Sequence, residues 1–208
     1  MIIDVKQTRS NMGADFVFSV DENLELYHSQ VRLGREGPDI ALIQNNERIL
    51  ILSSDEVPID VMGILFRDKV LYNIKKLNGD ICGEIALKVV KKLLARYKYI
   101  QVNFNAELLN CYEVGLGKEG KFVCIYIGDI QVALIEKSNV EYDNMDSYKI
   151  YLKDEKYMQI VCLFVVYYDH ATSANLNEFS YKSKKTSYEY SPNKELKSKY
   201  NPQFREQC

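Results

Sequence analysis

The sequence predicts a mainly β domain of about twelve antiparallel strands, and three observations predict it. Over the first three quarters of the 208 residues, apolar and polar residues alternate in short runs bounded by Gly, Asn or Asp, as half-buried strands and turns do. The breaks between runs are short, and short connections join antiparallel neighbours, because a parallel crossover needs about a dozen residues or more. One block, 157–168, is apolar at both parities and has to be buried on every side. Strands in such number must close or stack to avoid long exposed edges, which implies an up-and-down barrel or a sandwich.

Taken in order, the expected strands are 2–8, 14–20, 24–33, 39–44, 47–53, 69–76, 81–90, 96–104, 110–116, 121–127, 130–137 and 146–152. The turns between them have the right chemistry. Asn45 and Asn46 join one pair, Asn78, Gly79 and Asp80 another, and Gly128 with Asp129 suits a two-residue hairpin with positive φ at the glycine. Gly115, Gly117 and Gly120 lie between two strands with no helix following, so they read as a hairpin and not as a phosphate cradle.

Two segments admit more than one reading. Over 84–98, a helix puts Ile85, Val89, Val90, Leu93, Leu94 and Tyr97 opposite Lys88, Lys91, Lys92 and Arg96. A strand puts Ile85, Leu87, Val89, Leu93, Tyr97 and Tyr99 opposite Lys88, Lys92, Arg96 and Lys98, with Lys91 as the exception. Both leave a basic outer surface. The apolar block suits a central strand by propensity, being rich in Val, Ile, Phe and Tyr. Its length and the Asp154, Glu155 lead-in suit a capped helix.

After Ala171 the composition turns to Ser, Lys, Asn, Tyr and Glu without periodicity, so 172–208 reads as a polar tail, partly disordered or laid along the barrel. Its seven bases outnumber its four acids, Lys182, Lys184 and Lys185 offering a flexible basic contact.

Charge and composition bound the function. Apolar types make up 47% and charged types 27%, as in folded globular domains, and the net charge of −2 supplies no global field toward nucleic acid or an anionic bilayer. No apolar run reaches the roughly 18 residues of a membrane span, and the charged, alternating start is unlike a signal peptide, so the expected location is cytoplasmic. The five cysteines (Cys82, Cys111, Cys124, Cys162, Cys208) are odd in number and widely spaced, which suits reduced thiols better than disulfides or zinc ligation.

From 110 to 169 the order of features is two strands, a tyrosine-centred strand around Tyr148, then Asp154, the apolar stretch 160–168, and Asp169. This order resembles the closing part of the Tubby-like and LURP-one-related superfamily, in which small bacterial proteins are the expected nearest relatives. The resemblance implies a closed barrel of about twelve antiparallel strands around a central hydrophobic C-terminal helix at about 155–169, spanning residues 1–171. It also implies that 84–98 is largely strand. Members of the superfamily bind phosphoinositides or scramble lipids, but their ligand residues do not align with positions in this chain.

No pattern here reads as catalytic. His28 has no acid or cysteine at ligand spacing, and His170 follows Asp169 where an imidazolium would complement a helix C-terminus. Glu141, Asp143 and Asp146 lack the glycine and distal glutamate of a calcium loop and read as solvated acids. The expected function is therefore a non-enzymatic binding module without cofactor or metal. Lys88, Lys91, Lys92, Arg96 and Lys98 are its candidate contacts with anionic lipid or phosphoinositide at the inner membrane face. The alternative is a protein-interaction scaffold that recognises a partner through the aromatic tail.

Overall fold

A computed structural model of the chain describes residues 1–10, 13–21, 24–34, 37–54, 69–92, 95–141, 145–173, 184–185 and 188–208. Within these, the side chains at 33–34, 37–38, 92, 95–96, 140–141, 173 and 184–185 are outside the description.

The strands are β1 (Ile2–Ser10), β2 (Gly13–Ser19), β3 (Glu25–Gly34), β4 (Gly37–Gln44), β5 (Glu47–Ser53), β6 (Lys69–Lys75) and β7 (Ile81–Lys92). They continue as β8 (Ala95–Phe104), β9 (Glu107–Gly115), β10 (Lys121–Ile127), β11 (Ile130–Lys137), β12 (Val140–Glu141), β13 (Ser147–Leu152) and β14 (Lys184–Lys185). The helices are α1 (Met158–Ser173) and the short α2 (Lys194–Lys197). Twelve strands, β1 to β11 and β13, form one closed antiparallel barrel, and β12 pairs separately with β14. β1 closes the circle by pairing with both β2 and β13.

Alternation decides which side chains face inward. On β1, Ile3 and Val5 are fully buried while their neighbours are not, and Phe16 and Phe18 on β2 repeat the pattern. The turns follow the sequence chemistry: Asn45 and Asn46 adopt φ of 51° and 64°, and Gly128 adopts 57°. One turn goes against expectation, since Ala106 sits at φ 66° after Asn105, a conformation rarely taken by a residue with a Cβ.

The apolar block is helical, which settles its two readings. All ten residues 160–169 are buried, and ten residues make almost three turns, so no side of that stretch meets solvent. Its side chains share one apolar cluster with inward residues of the surrounding strands, including Ile3, Phe16, Leu42, Val102 and Ile150. The helix fills the barrel. A 3₁₀ turn, Glu155–Tyr157, leads into it, and the Asp154 carboxylate accepts a hydrogen bond from the Lys156 amide at 3.0 Å.

A second, smaller core lies outside the wall. Outward residues Val114, Phe122, Cys124 and Leu134 are buried beneath Phe204 of the C-terminal segment, with Leu196 and Tyr200 packed alongside. Residues 188–208 therefore lie against β9 to β11. The Met1 ammonium donates to a main-chain oxygen of Cys208 at 2.7 Å. Among the described residues, no helix is long and apolar enough to cross a membrane.

Candidate ligand-binding cleft

The β8–β9 ladder is incomplete. β8 and β9 pair from Phe104 and Glu107 up to Ile100 and Cys111, and their ladder stops there. Beyond that point, among the barrel strands, β8 pairs only with β7 and β9 only with β10. The two strands thus splay at the end of the barrel where α1 finishes. Tyr99 and Tyr112 face each other across the split with ring centroids 5.0 Å apart, where ladder hydrogen bonds would otherwise run.

The split opens on a cavity of about 370 Å³. Its floor is Phe164, Tyr167 and Tyr168 of the central helix with Cys111 and Val123 of the wall, and Leu71, Leu87 and Ile100 line its side. Lys98 stands at one lip and Glu113 at the other, with Ser191 and Leu196 of the C-terminal segment beside them. That size falls within the roughly 300–1,000 Å³ of small-molecule pockets.

The charges at the two lips differ. Glu113 is already engaged: Tyr168 donates to it at 2.6 Å and the Lys121 ammonium lies 3.2 Å away. Lys98 is exposed and has no carboxylate within ion-pair distance among the described residues, and the same holds for Lys91. The open lip is therefore cationic.

The C-terminal segment is held beside the split by backbone bonds. Ser191 donates its amide to the Gly115 carbonyl at 2.9 Å and accepts the Gly115 amide on its hydroxyl at 2.9 Å. Gly115 permits this approach, because a Cβ there would stand 2.1 Å from the Glu189 carbonyl oxygen. The glycines at 115, 117 and 120 do belong to the β9–β10 hairpin, and two of them also seat this segment.

The basic row of 84–98 does not form one face. β7 and β8 pair antiparallel out to Lys92 and Ala95, so the row is divided between two strands, as the separate expected strands 81–90 and 96–104 imply and the one-piece readings of 84–98 do not. Cross-strand partners share a face of the sheet. Lys88 is in register with Tyr99, whereas Lys98 is in register with Val89 and Arg96 with Lys91. The register thus groups Lys91 and Lys98 on the parity of inward Ile85, and sets Lys88 on the opposite one. The side chains of Lys92 and Arg96 lie outside the described residues.

The same end of the barrel carries a buried polar cluster. Lys137 and Asp146 form an ion pair of 2.7 Å with side chains 5% and 1% exposed. The Asp146 amide donates to the Gln7 side chain at 2.9 Å, and Tyr148 donates to Asp169 at 2.6 Å. Burial first, and then the facing Asp146 carboxylate, push the Asp169 carboxyl up to about 7, against the pull of Tyr148 and Lys137. Asp146 is thus a buried structural acid and not a solvated loop acid; Asp143, of the same sequence cluster, lies outside the described residues. Its fixed ion pair with Lys137 explains the difference.

The histidines and cysteines take no part in the hydrogen bonds and ion pair of this cluster. His28 is exposed on β3 and pairs with Glu25. His170 is half-buried, and burial lowers its pKa, which favours neutral imidazole over the imidazolium expected at a helix end. Cys111, Cys124 and Cys162 are buried, and desolvation raises their thiols, Cys124 to about 12. Among the described residues, no three potential ligands converge on a metal site.

The chain matches no protein-family model, no curated protein and no solved structure.

Sequence reasoning missed the cleft and the second core. The end of a ladder leaves no mark in a strand's own alternation, so the cleft had no signal. The second core did have one. Phe122 to Ile125 and Val132 to Ile135 are apolar at both parities, as in strands covered on both faces.

Proposed function

We propose that this chain is a non-enzymatic binding module for an anionic amphiphile, its apolar chain lodged in the β8–β9 cleft and its headgroup held by Lys98 and Lys91. The observation that carries this reading is an apolar cavity reaching the central helix whose open lip bears an uncompensated lysine. The opposite lip, being neutralised internally, does not repel an anion.

We further read the chain as a remote relative of the Tubby-like superfamily. The closed twelve-stranded barrel around a buried helix supports this. So do the contacts of the residues that carry the resemblance: Tyr148 bonds Asp169, and Asp154 caps the turn before α1. In this reading the cleft acts at an anionic membrane surface or on a free amphiphile.

The test compares the full chain with Lys91→Glu/Lys98→Glu and with Leu87→Trp, which fills the cavity. Vesicles of phosphatidylglycerol and phosphatidylcholine probe the bilayer source, and oleate in titration calorimetry probes the free one. Each lysine near an anionic surface contributes about 1 kcal/mol, so the double reversal is expected to weaken salt-sensitive binding more than tenfold at unchanged Tm. Absence of binding to both probes, or equal binding by the variants, overturns the proposal.

A further inference from the structure

The end of the barrel where α1 begins presents a different surface. Seven large hydrophobic side chains are exposed among the described residues, and six of them (Ile2, Leu24, Leu77, Ile81, Leu108, Ile130) lie at this one end. The up-and-down topology gathers them there, since the turns after β2, β6, β8 and β10 and the start of β1 all fall on that side. Scattered single aliphatics need no explanation, but their presence on four of the five turn tips at one end does.

Each of four tips couples its aliphatic to a neighbouring acid: Leu24 with Glu25, Ile81 with Asp80, Leu108 with Glu107, and Ile130 with Asp129. Turn chemistry accounts for aspartate in such positions. It does not account for Leu77 and Ile130 standing 65% and 64% exposed. Beside Ile130 runs a groove lined by Ile127, Val132 and Tyr157 and edged by Lys153, Asp154 and Glu155.

We infer that this end of the barrel is a docking surface for a basic amphipathic segment of a protein partner. Its aliphatics cover the turn tips, and its Lys or Arg side chains meet the tip carboxylates. Charge complementarity selects this occupant: Glu25 is paired with His28 and Glu107 with Lys156, but Asp80, Asp129, Asp154 and Glu155 have no cation within ion-pair distance among the described residues, and these acids disfavour an anionic bilayer and a second copy of the same surface. The surface is separate from the β8–β9 cleft, which opens at the other end, so the two readings stand or fall independently.

The experiment uses the full chain and a fluorescein-labelled helical peptide of leucine and lysine, read by anisotropy, with a control peptide of equal charge in which serine replaces leucine. The wild type is expected to bind the first peptide at least tenfold more tightly than the control. Leu77→Ser/Leu108→Ser/Ile130→Ser is expected to remove that preference at unchanged Tm. Independently, Glu107→Lys/Asp129→Lys is expected to weaken binding at least tenfold and to flatten its salt dependence. The inference is overturned by equal binding of both peptides or by indifference to the aliphatic substitutions. It is overturned equally by dimerisation, or by sedimentation with phosphatidylglycerol vesicles, that depends on the same three aliphatics.

Discussion

Tyr148 of β13 and Asp169 of α1 are joined by a 2.6 Å hydrogen bond, the phenol donating to a carboxylate that is 2% exposed. This bond ties the last barrel strand to the end of the helix inside it. Lys137 of β11 lies 5.6 Å from the Tyr148 ring centroid and pairs with Asp146, while Gln7 of β1 holds the Asp146 backbone. Two buried carboxyls thus lie near one buried cation, which is paired with Asp146, and a protonated Asp169 leaves the cluster neutral.

Stability should follow that proton. The Asp169 carboxyl is raised from 3.8 to about 7, so between those values the folded state holds a proton that the unfolded state has released. Folding stability from this group is complete below about 4, declines as pH rises toward 7, and stays at its lower level above. The groups facing Asp169 are Tyr148, Asp146 and Lys137. Asp169→Asn keeps a donor for Asp146 and an acceptor for Tyr148 but cannot ionise. Thermal melts from pH 5 to 8 should show wild-type Tm falling relative to this variant up to about pH 7. A constant difference would mean that Asp169 is ionised throughout.

Phe164 should be among the most costly truncations in the chain. It is 1% exposed and has the rings of Tyr167 and Tyr168 at 5.9 and 6.2 Å. Truncation there removes a buried ring and its packing against both tyrosines, so Phe164→Ala is expected to cost about 3–5 kcal/mol in urea unfolding. A loss below about 1 kcal/mol would contradict its interior position.

Removal of residues 188–208 should leave the barrel folded but uncover Phe122, Val114 and Leu134, which lie under Phe204. The expected signature is a large gain in fluorescence of an apolar dye with near-native far-ultraviolet circular dichroism. Gly115→Ala should produce a weaker form of the same effect, because the new methyl group collides with the Glu189 carbonyl. Unchanged dye binding by the truncated chain would show that this segment covers no apolar surface.

Most of the barrel was legible in the residues themselves. Twelve expected strands correspond to the twelve of the barrel, because period-two alternation and Asn or Gly turns are local properties. The block at 157–168 was legible as buried all round but not as helix. Propensity favoured extended chain, while length, the Asp154, Glu155 lead-in and the resemblance favoured a helix, so enclosure in the barrel overrode propensity. The basic row was legible as a set of lysines but not as a surface, since the reversal between Lys92 and Ala95 divides it.

By itself, the sequence determined the number of strands, their antiparallel order, the turns and the presence of one segment with no wet side. Each depends on residues within a few positions of one another. Only the tertiary structure decided that the β8–β9 ladder stops at Ile100 and Cys111, that 188–208 covers β9 to β11, and that Asp169 is buried beside the Lys137–Asp146 ion pair. These are relations between residues distant in sequence. They depend on how twelve strands close around a helix of fixed girth, a geometric constraint that no single stretch of residues contains.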